Sequence, residues 1–142
     1  GGGAGAVVAL VAAGFVVGNL LHALALMQDG RGAYRAALAH IAATSPFAEI
    51  TLTGDHDFRT GTVAAWHAPA AGEGRTVRYL PAGDLPPRGA QWYVLHRFRH
   101  DPPGPPDVVD PDGHRYVRDR TFPHAGLSGW DWVLYRNEEL PR

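Results

Sequence analysis

Apolar positions are concentrated at the start of this chain and then recur with regular spacing. From Ala6 to Met27 the sequence AVVALVAAGFVVGNLLHALALM carries no formal charge and is interrupted only by Asn19 and His22. A helix of that length spans roughly 33 Å at about 1.5 Å per residue, enough to cross the hydrocarbon core of a bilayer. The alternative is a core helix of a soluble domain. The stretch lacks the charged start and small-residue cleavage site of a signal peptide. Asn19 and His22 read as interfacial or helix-packing groups. Arg31 and Arg35 follow closely, a flank that the positive-inside rule would place in the cytoplasm.

Beyond Asp29-Gly30 the pattern changes. Tyr34, Leu38 and Ile41 recur at helical spacing and predict an amphipathic helix over Tyr34–Ala43, ended by Thr44-Ser45-Pro46. Ile50–Thr53 reads as a buried strand and Gly54-Asp55-His56-Asp57 as a tight acidic turn. A helix carrying Phe58, Thr62 and Trp66 follows and is expected to stop before Pro69. Thr76–Leu80, Gln91–Phe98, His114–Thr121 and Trp130–Arg136 read as strands, with Val108-Val109 leading into an Asp110-Pro111-Asp112-Gly113 turn. In the last strand Trp130, Trp132 and Leu134 share one face, and Asp131, Val133 and Tyr135 the other.

The order helix, helix, strand, helix, strands predicts an α/β fold. We expect an N-terminal membrane helix (residues 6–27, the last of several) and a small soluble α/β domain (residues 31–142). Its mixed sheet should have an antiparallel second half.

Composition narrows the function more than the fold. A formal net charge of -1 and a pI near 6.8 leave no global field for nucleic acid, so no nucleic-acid partner is expected. With no Cys there are no disulfides, thiolate metal sites or Cys nucleophile. All basic residues are Arg, which with the Gly, Pro and Ala content reads as a coding bias. The chain opens Gly-Gly-Gly-Ala-Gly without a Met, and we read it as a piece of a longer protein.

The strand–turn–helix unit at Ile50–His67 is where open α/β sheets carry their sites, at the carboxyl ends of strands. Asp55, His56 and Asp57 would suit acid–base work or a divalent cation. The plainer reading is helix capping by an Asp. No His is linked to the turn by a metal-ligand motif, so no metal and no cofactor is expected. The turn also lacks G-x-G-x-x-G and G-K-[ST] glycine patterns. Ser128, in Gly126-Leu127-Ser128-Gly129-Trp130, misses the G-x-S-x-G spacing and precedes a strand rather than a helix. No catalytic residue is assigned. The residues expected to touch a ligand are Asp55, His56, Asp57 and Arg59, with His124 and Ser128 from the late loop as second choices. Trp66, Trp92, Trp130 and Trp132 are stacking or core residues.

Three segments carry a resemblance: Gly32–Ile41 (G-x-Y-R-x-A-L-x-x-I), Ile50–Arg59 (ITLTGDHDFR) and Leu127–Arg136 (LSGWDWVLYR). With the apolar helix before them, they resemble the C-terminal extracytoplasmic domain of bacterial polytopic membrane glycosyltransferases. The type is similar to the dolichyl-phosphate-mannose–protein mannosyltransferases and the aminoarabinose transferases. The resemblance covers nearly the whole chain. It implies an inner-membrane location, the lipid bilayer as a partner, and a polyprenyl-phosphate sugar donor handled by an upstream part that carries the catalytic acids. The competing expectations are a small soluble hydrolase or metal-dependent enzyme using the Asp55-His56-Asp57 turn, and a non-catalytic interaction module.

Overall fold

The computed structural model describes residues 2–29, 32–71, 74–98, 101–124 and 130–141. Helices α1 (Gly2–Asp29) and α2 (Tyr34–Thr44) lead into β1 (Glu49–Gly54), α3 (Asp57–Ala71) and β2 (Thr76–Tyr79). A 3-10 turn at Ala82–Asp84 precedes β3 (Trp92–Arg97), β4 (Asp107–Val109), β5 (Arg115–Phe122) and β6 (Asp131–Asn137). The strands form one sheet in the order β2-β1-β3-β6-β5-β4. β1 runs parallel to both β2 and β3, while the β3–β6, β6–β5 and β5–β4 pairs are antiparallel. The fold is α/β with a mixed sheet.

The alternation along the strands builds two unequal layers. Ile50, Leu52, Trp92, Val94, Trp132 and Leu134 face the helices, where they meet Leu38 and Ile41 of α2 and Ala64, Ala68 and Ala71 of α3. Small residues on α3 let its backbone lie close to the sheet. Each fully buried Leu or Ile contributes about 1.5–3 kcal/mol relative to exposure. The opposite face carries a smaller cluster of Tyr116, Val133 and Tyr135, against which Tyr93, Leu95 and Val108 pack. The expected division of β6 into a Trp132/Leu134 face and a Val133/Tyr135 face is the one observed. Trp130, expected inside that strand, lies just before it.

One local expectation changes: α3 does not stop before Pro69 but runs through it to Ala71. Proline deprives the i−4 carbonyl of its donor, here that of Ala65, which is solvent-exposed, and the helix ends two residues later. The Phe58–Thr62–Trp66 stripe of the same helix points away from the core. The buried stripe is Thr60, Ala64, Ala68 and Ala71.

Helix α1 is long and apolar enough to cross a membrane, and none of its most apolar window is buried in the chain. Asn19 donates to the Phe15 carbonyl at 2.8 Å, which satisfies one of its two amide N–H groups within the helix itself. That bond lowers the cost of placing the side chain in an apolar medium.

Candidate functional site at the carboxyl edge of the sheet

The chain leaves β1 for β2 on one side, while β3, on β1's other flank, leads on to the antiparallel half. The carboxyl ends of β1 and β3 therefore sit where the connections diverge, the position at which open sheets form a crevice. The two strands approach closely there. Asp55 N–H donates to the Val94 carbonyl at 3.1 Å, and a Cβ on Gly54 would stand 2.7 Å from that same oxygen.

Asp55 reaches across to β3. Its carboxylate accepts the His96 backbone N–H at 3.1 and 3.2 Å, and its Oδ1 lies 2.6 Å from His96 Nδ1. The carboxylate selects the proton-bearing form of Nδ1, which in a neutral ring leaves Nε2 as an acceptor. The His96 side chain is 2% exposed and stands edge-on to Trp130 and Trp132 at 6.1 and 5.7 Å. Its Nε2 is buried and has no hydrogen-bond partner among the described residues.

Asp57 is engaged elsewhere. Its Oδ1 accepts the Tyr79 hydroxyl at 2.6 Å and the Ala82 N–H at 3.3 Å, tying the first turn of α3 to the end of β2. Burial, and then the bond to Asp57, hold the Tyr79 hydroxyl well above its ordinary value. The two aspartates of the turn are thus drawn to different partners. Asp57 stands in the first turn of α3, where its charge complements the helix dipole as expected, but the side-chain bond to a first-turn N–H comes from His56. Its carbonyl accepts Thr60 N–H at 2.9 Å, and its Nδ1 accepts Arg59 N–H at a long 3.5 Å. The exposed His56 ring lies 6.5 Å from that of His96.

Arg59 lies with its guanidinium 4.2 Å above the Trp130 ring, and Phe98 stacks on the same indole at 3.8 Å. Beside this stack opens a groove of about 750 Å³ lined by Leu26, Tyr34, Arg59, Trp66, His67 and Trp130, among others. It separates the last turn of α1 from the outward face of α3. Burial, assisted by the nearby Arg35 charge, lowers the His67 pKa.

The late-loop candidates do not join this constellation. His124 bonds Asp131 through both its backbone N–H (2.8 Å) and its Nδ1 (2.9 Å). Ser128 lies outside the described residues. Among the described residues no group of His, Asp and Glu is arranged to hold a metal ion. On β5, Arg115 pairs with Asp107 and Glu138, and Arg118 donates to the Gly104 carbonyl.

His96 is the residue that motif spacing could not find. One signal for it existed: in the alternation of β3 it shares the inward face with Trp92 and Val94, and an inward imidazole needs a partner. The same pairing recurs at His40–Asp119, His114–Asp110 and His124–Asp131, so a His–Asp contact alone does not mark a reactive centre here. The arrangement can orient an imidazole and pin two strand ends together. With Nε2 closed off, it does not present that nitrogen to a substrate. Comparison with protein-family models, with curated proteins and with solved structures finds no match.

Proposed function

We propose that this chain is a membrane-anchored accessory domain of a glycosyltransferase-like protein that uses a lipid-linked sugar donor. In this reading α1 crosses the bacterial inner membrane, the α/β domain stands on its extracytoplasmic side, and the transfer chemistry belongs to a part of the protein outside this stretch. The observation that carries it is the bare apolar helix α1, whose exposed surface calls for an apolar surrounding that the domain does not supply. Two features agree with it. The acids of the Asp55-His56-Asp57 turn are spent on internal bonds, and the groove opens beside the end of α1. The three sequence segments of the resemblance supply the glycosyltransferase part of the reading.

The experiment is fractionation of the full chain and of a chain lacking residues 1–29. Recovery of the full chain only in detergent, with the shortened chain soluble and folded, supports the anchor. A full chain that is soluble without detergent, with an unfolded truncation, removes it and makes α1 a core helix. Protease accessibility of the domain in sealed inverted vesicles then reads its side. Protection supports the extracytoplasmic placement, and digestion places the domain in the cytoplasm, as Arg31 and Arg35 would favour.

A competing reading, a small hydrolytic enzyme, has one observation in its favour: the carboxylate-oriented His96. Loss of an activity in Asp55→Asn without loss of stability would support it.

A further inference from the structure

Outside α1, four large hydrophobic side chains are exposed among the described residues, and three of them are aromatic: Phe58 at 81%, Trp66 at 80% and Phe98 at 54%. Phe58 and Trp66 lie eight residues apart on one stripe of α3, with Thr62 between them. Trp66 and Thr62 line the groove that Leu26 closes from the other side. Phe98 stacks on Trp130, whose ring lines the groove. Isolated exposed apolar residues need no explanation, but an exposed Trp that lines a groove with the root of an apolar helix does.

The depth of this patch is set by α1. The apolar span ends at Met27, so Leu26 belongs to its final turn. Side chains that share a groove with Leu26 therefore lie where hydrocarbon gives way to headgroups, the level at which Trp and Tyr are enriched. The cations fit that level as well. Arg59 lies over Trp130, Arg35 is exposed and close enough for its charge to act on His67, and neither has a carboxylate partner among the described residues. An amphipathic rim of aromatic and guanidinium groups matches an anionic phospholipid surface.

We infer that the outward face of α3, with Phe58, Arg59, Trp66 and Phe98, is a docking surface for the phospholipid interface, holding the domain down against the bilayer from which α1 emerges. The inference rests on α1 being the anchor. It makes the domain lie over the membrane with its carboxyl-edge groove open at headgroup level, rather than stand free on a stalk.

Tryptophan fluorescence tests it, because α1 contains no Trp and every signal comes from the domain. The full chain is placed in phosphatidylcholine–phosphatidylglycerol vesicles with and without bromine on the acyl chains near the headgroup. Docking predicts quenching by brominated lipid, loss of most of that quenching in Trp66→Phe, and protection of Trp66 from aqueous iodide. Three results would overturn it. Trp66 open to iodide in vesicle-bound chain means a domain held off the surface. Protection from iodide without quenching by brominated lipid means a protein, such as a second copy, covers the face. A chain that does not float with vesicles removes the anchor itself, and is thereby told apart from the first two. Phe58→Ser with Phe98→Ser should raise iodide access to Trp66 in vesicles while leaving flotation unchanged.

Discussion

At the scale of single residues, one carboxylate holds His96 by both its backbone and its ring, so Asp55 joins the ends of two strands that are far apart in sequence. Hydrogen bonds to a charged group are worth about 1.5–3 kcal/mol, and Asp55→Asn should lower stability to urea by about that amount. An unchanged urea midpoint would mean that the pair contributes no net stability. The His114–Asp110 pair gives a pH dependence. The bond to Asp110 raises the His114 pKa above 6.5. Burial pushes Asp110 up, but bonds from the His114 ring and N–H and from Tyr116 outweigh it and hold the carboxyl below 3.8. The contribution is therefore complete between those ordinary values. It is lost as pH rises above 6.5 through the raised histidine value, and as pH falls below 3.8 through the lowered aspartate value. The gap in urea midpoint between the parent chain and His114→Gln should be wide at about pH 5 and shrink by about pH 9. A gap independent of pH would show that His114 acts through packing. Of these contacts, the local His114–Asp110 turn was written in the spacing of Asp110-Pro111-Asp112-Gly113. The Asp55–His96 contact was not.

At the scale of elements, the β1–β3 pair and helix α3 show how tightly local choices are constrained. Gly54 leaves no room for a side chain, since a Cβ would press on the Val94 carbonyl of β3 at 2.7 Å. Gly54→Ala should cost about 1–3 kcal/mol, the usual range for overpacking, by thermal or urea denaturation. A neutral substitution would mean that the β1–β3 spacing is soft. Pro69 sits in the last turn of α3 and withholds a donor from Ala65. Pro69→Ala should stabilise the fold, by no more than the roughly 3 kcal/mol that separates the two residues in a helix interior. A destabilised variant would show that the ring packs where the helix meets β2. The existence and order of these elements were legible from periodicity. The burial of α3 was not, because its most hydrophobic stripe, Phe58–Thr62–Trp66, is the one left outside, and alanines make the contact with the sheet.

At the scale of the whole molecule, α1 stands outside the hydrophobic core. The core is assembled from α2, α3 and the strands, and among the described residues none of α1 belongs to it. Deleting residues 1–29 should therefore leave the unfolding midpoint of the domain, measured in detergent for both chains, nearly unchanged. A large drop would show that α1 serves as part of the fold. Two aromatic expectations also separate at this scale: Trp92 and Trp132 are core, with Trp92 Nε1 donating to Ser45 Oγ at 2.8 Å, whereas Trp66 is exposed on the surface of the chain.

By itself, the sequence determined what depends on near neighbours. An apolar run long enough to span a bilayer, the alternation in the strands, the turn chemistry at Asp110–Gly113 and the mixed α/β class all follow from spacing within a few residues. Only the tertiary structure decided which strand lies beside β1. The chain makes β2 next, yet β3 takes the other flank, and that choice delivers His96 to Asp55 and parts Asp57 from it. Sheet order is settled by packing between segments far apart in the chain, and a local pattern does not record it.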